Sequence, residues 1–132
     1  MSAIFAINTS STTVSAGSII PTVVNKREGC SIMGADGMLL LRKPGYYKVS
    51  ATVTATASAA GDVTVVLKKN GVSVPGITAT ETYTTADTET RTLYLQGIVK
   101  VLCYEGIPVL TLVNASDGID ITVSNVSFTV FN

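Results

Sequence analysis

The sequence predicts an all-β domain built as a two-sheet antiparallel sandwich or jelly roll. Apolar and polar residues alternate with a period of two, and no window holds the i, i+3, i+4, i+7 apolar spacing of a helix. About eight to ten short strand-like segments are separated by turn signals roughly every eight to twelve residues. The 132 residues suffice for one hydrophobic core but not for two, so residues 1–132 are predicted to form a single domain.

Four short apolar segments are predicted to be strands near the N-terminus. They are Ala3–Ile7, Ile19–Val24, Cys30–Met33 and Met38–Leu41, and Gly and polar turns separate them. Residues 1–28 are predicted to supply N-terminal strands and a segment that could anchor the chain to a larger particle. Residues 29–132 are predicted to form the jelly-roll core.

The clearest alternation lies in the predicted strand from Tyr47 to Ala57. Every second residue from Tyr47 is apolar, and the residues between them are Lys, Ser and Thr. This pattern is typical of an antiparallel strand with one buried face and one wetted face.

A β-hairpin is predicted around Asn70-Gly71, which follows the apolar strand Asp62–Lys69. Both turn residues tolerate the positive φ that a tight primed turn requires. The returning strand, Val72 to about Thr80, contains Pro75-Gly76. Because proline removes a donor from the ladder, this strand is predicted to lie at a sheet edge or to carry a bulge.

The C-terminal strands are apolar on both faces. Glu81–Thr90 is predicted to be an exposed loop or a frayed strand, Arg91–Tyr104 and Val109–Val113 to be strands, and Ile119–Phe131 to be the last strand. The apolar parity changes within that last strand, which predicts a bulge near Ser124-Asn125. A strand that is apolar on both faces must bury both, and we expect an oligomer interface to cover the second face.

The composition argues against several classes of function. Nine basic and nine acidic residues balance, so no global field attracts nucleic acid or an anionic membrane, and no apolar stretch is long enough to span a bilayer. The N-terminus lacks the pattern of a signal peptide. The sequence has no His and shows no acid–base pair, so neither an enzyme nor a cofactor is predicted.

Metal and disulfide chemistry are also not predicted. Asp36 and Asp117-Gly118-Ile119-Asp120 are too few acidic groups for a calcium loop, and solvated turns are the preferred interpretation. Cys30 and Cys103 match no zinc or redox spacing, and they are predicted to be buried free thiols rather than a disulfide.

Two ordered motifs resemble those of a known family. Residues 41–49 (LRKPGYYKV) are similar to the family's P-G-x-Y-x-V/F entry into a long strand, and residues 65–76 (VVLKKNGVSVPG) are similar to its L-x-x-N-G-x-x-V-P-G hairpin. The likeness covers roughly residues 29–131. On these motifs the chain resembles the jelly roll of tumour necrosis factor and of the complement globular head. The strongest resemblance is to the bacterial and phage branch, which includes the C-terminal domains of exosporium collagen-like glycoproteins.

The resemblance implies a ten-strand jelly roll that assembles as a homotrimer, although no collagen-like stalk precedes the head in this sequence. The leading hypothesis is a non-enzymatic structural protein of the virion, a trimeric head that decorates a phage capsid or fibre. The alternative is a glycan- or protein-binding adhesion module on a phage, spore or bacterial surface. The expected partners are other copies of the chain, and beyond them a phage capsid protein or a host-surface glycan.

Two sets of residues are predicted to carry these contacts. Tyr46, Tyr83, Tyr94 and Tyr104 could contact a carbohydrate or protein, but core or trimer packing is the preferred interpretation. Tyr83 and Asp117 are predicted to be apical binding residues, in the loops near 80–90 and 114–120. The predicted trimer interface consists of Phe5, Tyr47, Tyr104, Leu110, Leu112, Phe128 and Val130.

Overall fold

The computed structural model describes residues 2–132, which form eleven β-strands and, within that range, no helix. The strands are β1 (Ala3–Asn8), β2 (Thr12–Val14), β3 (Val23–Glu28), β4 (Ile32–Ala35), β5 (Met38–Leu41), β6 (Gly45–Ala57), β7 (Gly61–Lys69), β8 (Val72–Tyr83), β9 (Thr90–Val101), β10 (Val109–Asn114) and β11 (Ile121–Phe131).

The strands form two antiparallel sheets that pack face to face. The first sheet has the order β3-β1-β11-β6-β9, with β2 paired to the start of β11. The second sheet has the order β4-β5-β10-β7-β8. This arrangement confirms the predicted two-sheet antiparallel jelly roll.

The core lies between the sheets and is built from the inward row of each strand. In β6 the alternation that begins at Tyr47 is confirmed, because every second residue from Tyr47 to Ala57 is buried. The largest fully buried side chains are Tyr47, Tyr83 and Phe128, and aliphatic residues of both sheets surround them.

The hairpin between β7 and β8 is confirmed at Asn70-Gly71, whose φ angles are 52° and 80°. The Asn70 side chain also accepts a hydrogen bond from the Val109 N–H at 2.9 Å, which ties the turn to β10. Edge position and bulge are both confirmed for β8. Val66 pairs with Thr78 and Lys68 with Ser73, so residues 74–77, including Pro75-Gly76, bulge opposite Leu67 alone.

The last strand carries the predicted bulge. Its register against β6 shifts between Val123 and Asn125, and as a result both Val123 and Val126 point into the core.

Several predicted strand limits are wrong, and residues 2–132 form eleven strands rather than ten. Ile19–Val24 is not a strand: Ile19 forms one isolated bridge to Val113, and the regular strand begins at Val23 and runs to Glu28. Residues 17–20 instead hydrogen-bond along the part of β10 that β5 leaves unpaired, with the Ile20 N–H 2.8 Å from the Leu112 carbonyl.

Other limits shift by a few residues. β4 begins at Ile32 rather than Cys30, and β9 ends at Val101 because residues 102–108 form a turn. β8 continues to Tyr83, so the exposed loop covers residues 84–89 rather than 81–90.

At each open side of the sandwich, a glycine leaves room for a side chain of the facing edge strand. On one side a Cβ on Gly97 of β9 would lie 2.6 Å from the Ile77 side chain of β8. On the other side a Cβ on Gly34 of β4 would lie 2.2 Å from the Val24 side chain of β3. Each glycine therefore lets the edge strands of the two sheets approach each other.

The connections between strands gather at two ends. We call the end with loops 58–60, 84–89 and 115–120 the upper end. The opposite, lower end holds loops 29–31, 42–44, 70–71 and 102–108, together with Ser2 and Asn132, whose backbones hydrogen-bond to each other.

The prediction that both cysteines are buried is wrong. Cys30 and Cys103 are free, as predicted, but both are exposed because they lie in lower-end loops rather than in strands.

No helix in the described part of the chain has the length and hydropathy to cross a membrane.

Candidate assembly surface

The outer face of the first sheet carries a shallow, uncharged groove. It crosses β9, β6 and β11, has a volume of about 390 Å³, and is lined mainly by hydroxyl and amide side chains together with Tyr94. The polar lining residues are Ser50, Thr52, Gln96, Ser127 and Thr129. These side chains occupy the outward row of the alternation whose inward row forms the core.

Large apolar side chains are exposed beside this groove. Tyr46, Tyr94 and Ile98 point outward from β6 and β9 and are 63%, 71% and 65% exposed. Val72 of β8 is 71% exposed, and it lines a depression together with Ile98 at the edge where the two sheets meet. We call Tyr46, Val72, Tyr94 and Ile98 the apolar edge.

Two lysines pack over aromatic rings of the same outer face. The Lys100 ammonium lies 5.4 Å from the centre of the Tyr46 ring, and the Lys48 ammonium lies 5.9 Å from that of Phe131. A cation over a ring face is held by the negative potential of that face. Each lysine therefore stabilises the position of one aromatic ring on this face.

The turn at residues 102–108 extends the apolar surface at the lower end. Tyr104 and Ile107 are exposed there. Glu105 holds the turn, because its carboxylate accepts the Leu102 N–H at 3.1 Å and pairs with Lys69 at 2.8 Å. The hydrogen bond from Lys69, followed by that from the Leu102 N–H, lowers the pKa of Glu105.

Five of the seven predicted interface residues are core residues of the chain itself. Tyr47, Leu110, Leu112, Phe128 and Val130 lie between the two sheets and are at most 1% exposed, so another copy cannot contact them. The prediction is wrong for these five because the opposite sheet and residues 17–20 already cover β10 and β11.

The other two predicted interface residues remain available. Tyr104 is highly exposed in the lower-end turn, and Phe5 is half-buried on β1.

The apical binding prediction is wrong for Tyr83. Its side chain is buried, and its hydroxyl donates a 2.6 Å hydrogen bond to the Ala55 carbonyl of the opposite sheet. Burial raises the pKa of this phenol. Asp117 is exposed in loop 115–120. Of the two predicted apical residues, only Asp117 is therefore accessible to the ligand that the adhesion hypothesis requires.

Sequence reasoning did not single out Val72 and Ile98 as exposed apolar residues of this surface. The signal for Ile98 was present, because it lies out of parity with the buried Leu93, Leu95 and Val99 of its strand. Val72 follows a turn at the start of an edge strand, where alternation is too short to assign a face.

The acidic turns serve the fold. One Asp120 carboxylate oxygen accepts the Ala16 N–H at 3.0 Å, and Asp36 occupies a turn with a φ of 47°. Residues 2–132 contain no cluster of three or more His, Cys, Asp or Glu side chains that could hold a metal ion.

The sequence matches no protein-family model and no curated protein. Solved structures, in contrast, share its fold. Murine APRIL at pH 5.0 superposes with a TM-score of 0.75 at 12% identity, covering 99% of this chain and 98% of that one. The globular domain of zebrafish complement 1qA gives 0.71 at 10% identity, covering 99% and 96%.

A vertex protein is also similar. The PRD1 vertex protein P5 superposes with a TM-score of 0.55 at 13% identity, over 98% of this chain and 72% of that chain. At such low identities the likeness concerns the fold and nothing finer. The strand order, the two-sheet core and these superpositions together show that the chain has the tumour-necrosis-factor-like jelly-roll fold.

Proposed function

We propose that the chain is a structural head that assembles as a homotrimer through the outer face of its first sheet. The apolar edge is the observation that carries this proposal. Four large apolar side chains, each more than 60% exposed, lie on one side of a molecule that has few charges to keep it apart from its copies. Burial of this much apolar surface is favourable at about 25 cal/mol per Å².

The apolar edge and the groove adjoin each other and share Tyr94, but their other residues differ. When the edge of one copy packs into the groove of the next, the contact is heterologous, and such contacts form a closed ring where the rotation between copies closes. The family resemblance implies three copies. The hydroxyl-lined, uncharged groove suits such a contact because its burial strands no unpaired charge.

The proposed location is the surface of a virion, where the head decorates a capsid or fibre and performs no enzymatic reaction. The likeness to the PRD1 vertex protein P5 supports this location. A compact trimer can occupy a three-fold position of a particle and present three copies of the upper loops for multivalent contact. Mass spectrometry of purified particles from the source culture tests this, since a true decoration protein co-purifies in a fixed ratio to the shell protein.

Size-exclusion chromatography with light scattering tests the trimer. We expect a mass three times the 13.7 kDa of the chain. Ile98→Asp should dissociate it because the charge would be buried without a partner. Val23→Asp is the matched control: Val23 is 69% exposed, but it lies on β3 at the far edge of the same sheet. A wild-type monomer at high concentration, or an Ile98→Asp variant that folds and remains trimeric, contradicts the proposal.

A further inference from the structure

The charges of this neutral chain are segregated between its two ends. Eight of the nine Lys and Arg residues lie in the lower half of the sandwich or its loops, accompanied by two acidic residues, Glu28 and Glu105. Six of the nine Asp and Glu residues lie at the upper end, accompanied by one basic residue, Arg91. The lower basic residues are Lys26, Arg27, Arg42, Lys43, Lys48, Lys68, Lys69 and Lys100, and the upper acidic residues are Asp62, Glu81, Asp87, Glu89, Asp117 and Asp120.

The segregated charges are not neutralised across the molecule. The ion pairs found in residues 2–132 are Lys69–Glu105 at the lower end, and Arg91–Glu81 and Arg91–Glu89 at the upper end. Each pair joins residues of the same end. The lower end thus keeps six more positive than negative side chains, and the upper end five more negative than positive.

Assembly about a rotation axis along the strands preserves this polarity. Rotation about the axis leaves unchanged the component of each subunit's charge dipole that lies along the axis. The basic ends of all subunits therefore lie on one side of the assembly and the acidic ends on the other. A trimer of this kind has zero net charge but strongly opposed ends. Fields of several like charges act together over roughly a Debye length, which is about 30 Å at 0.01 M salt.

We propose that trimers stack head to tail, with the lower end of one trimer on the upper end of the next. This inference rests on the proposed trimer and adds a second, electrostatic contact to it. Each copy carries both complementary surfaces, and zero net charge leaves no overall repulsion between copies. Both ends also expose apolar atoms, from Tyr104 and Ile107 below and from Ala59, Ala60 and Ala115 above.

The consequence is an open column rather than a closed particle. A head-to-tail contact along the axis is heterologous and does not close on itself. Individual exposed ion pairs contribute little, so the contact should depend on the combined field of each end and should weaken with added salt.

Sedimentation velocity on the wild-type protein tests the stacking. At about 0.01 M salt we expect the weight-average mass to reach about twice the trimer mass or more, and at about 1 M salt, where the Debye length is about 3 Å, to return to that of the trimer. A wild-type trimer that never associates further at low salt overturns the inference. The high-salt measurement separates the two proposals, because a monomer there refutes the trimer itself.

A charge-balanced variant tests polarity apart from net charge. Arg42→Glu and Lys43→Glu at the lower end, combined with Asp62→Lys and Asp117→Lys at the upper end, leave the net charge at zero and remove most of the polarity. These four residues lie in exposed positions outside the groove and the apolar edge. We expect the variant to remain a trimer at every salt concentration. Stacking equal to that of the wild type overturns the inference.

A third outcome would assign a different binding partner to the lower end. If the wild-type trimer does not stack but binds a heparin column, and the variant does not bind, the lower end serves a polyanion and the stacking inference is wrong.

Discussion

At the scale of single residues, Asn114 is the most connected polar side chain of the core. Its amide NH₂ donates to the carbonyls of Val14 and Ile119, at 3.1 and 3.0 Å. Its amide oxygen accepts from the N–H and the hydroxyl of Ser116, at 3.2 and 2.6 Å. The side chain is fully buried, so the bonds to Val14 and Ser116 are shielded from water and the bond to Ile119 is partly shielded. One residue thereby joins the end of β2, the end of β10 and the loop 115–120 that precedes β11.

Replacement of Asn114 tests this role. Asn114→Ala removes the donor from the buried Val14 carbonyl and from the half-buried Ile119 carbonyl, and we expect the free energy of unfolding to fall by about 2 to 4 kcal/mol, because a buried unpaired polar group costs about 1 to 3 kcal/mol. Urea denaturation measures the change. Asn125→Ala, at an exposed position, is the control and should change stability by less than about 0.5 kcal/mol. Equal effects of the two substitutions would contradict the role given to Asn114.

Glu89 organises the upper loop 84–89. Its carboxylate pairs with Arg91 and accepts hydrogen bonds from the Thr84 N–H at 2.8 Å and the Thr85 N–H at 3.0 Å. The hydrogen bond from Arg91, followed by those from Thr84, lowers the pKa of Glu89 from 4.5 to about 2. The folded-state pKa lies below the unfolded value, so this carboxylate stabilises the fold above pH 4.5, and that contribution is lost as the pH falls toward 2.

An NMR titration checks the pKa of Glu89. We expect a midpoint near 2 in the wild type and a higher midpoint in Arg91→Gln, because that substitution removes the strongest cause of the shift. In parallel, Glu89→Gln should show a shallower loss of stability between pH 4.5 and pH 2 than the wild type. A midpoint in the Arg91 variant equal to that of the wild type would contradict this prediction, because the hydrogen bonds from Thr84 and Thr85 alone would then account for the low pKa of Glu89.

At the scale of strands, the close approach of β8 and β9 depends on the absence of a side chain at Gly97. A Cβ there would overlap with Ile77, whose side chain is buried against it. Gly97→Ala should therefore reduce the free energy of unfolding by about 1 to 3 kcal/mol, as overpacking does elsewhere. Thermal and urea denaturation measure the loss.

Combination with Ile77→Ala, which removes both Ile77 atoms that a Gly97 Cβ would overlap, tests the cause of that loss. If the overlap is responsible, the double variant loses less stability than the sum of the two single variants, because the smaller side chain makes room for the methyl group. Additive losses would place the strain elsewhere.

Strands with one wetted face were predictable from the sequence together with their buried row, whereas for β10 the position was predicted and the cover of its faces was not. β6 was predicted well because its two rows differ in polarity along its whole length. β3 was missed because all six of its residues are exposed, so no alternation marks it. In β10 both rows are apolar or buried, and the sequence does not show that residues 17–20 of the same chain cover its free edge.

The candidate surface was predicted less well than the fold, for the same reason. Apolar content on both faces indicated that some apolar residues would lie outside the core, but it did not tell which apolar row faces the opposite sheet. Leu112 and Phe128 were assigned outward, whereas the structure places them in the core and leaves Ile98 and Tyr46 outside. Only the pairing of the strands decides between the two rows.

At the scale of the whole molecule, stability should depend on protein concentration. If trimer formation buries the apolar edge, folding and association are linked, and the unfolding midpoint rises as the protein is concentrated. Calorimetry over a hundredfold range of concentration measures this dependence for the wild type. The Ile98→Asp variant should show a midpoint that does not change with concentration, and a constant midpoint in the wild type would contradict the linkage.

The bulge in β8 has a consequence for a protein displayed in many copies. An exposed edge strand offers a row of free amide and carbonyl groups to which a foreign strand can add, and repeated addition leads to amyloid. In β8 that row is interrupted by residues 74–77 and by the ring of Pro75, which has no amide hydrogen to offer. Crowding of many heads on one particle should thus not nucleate fibrils from this edge.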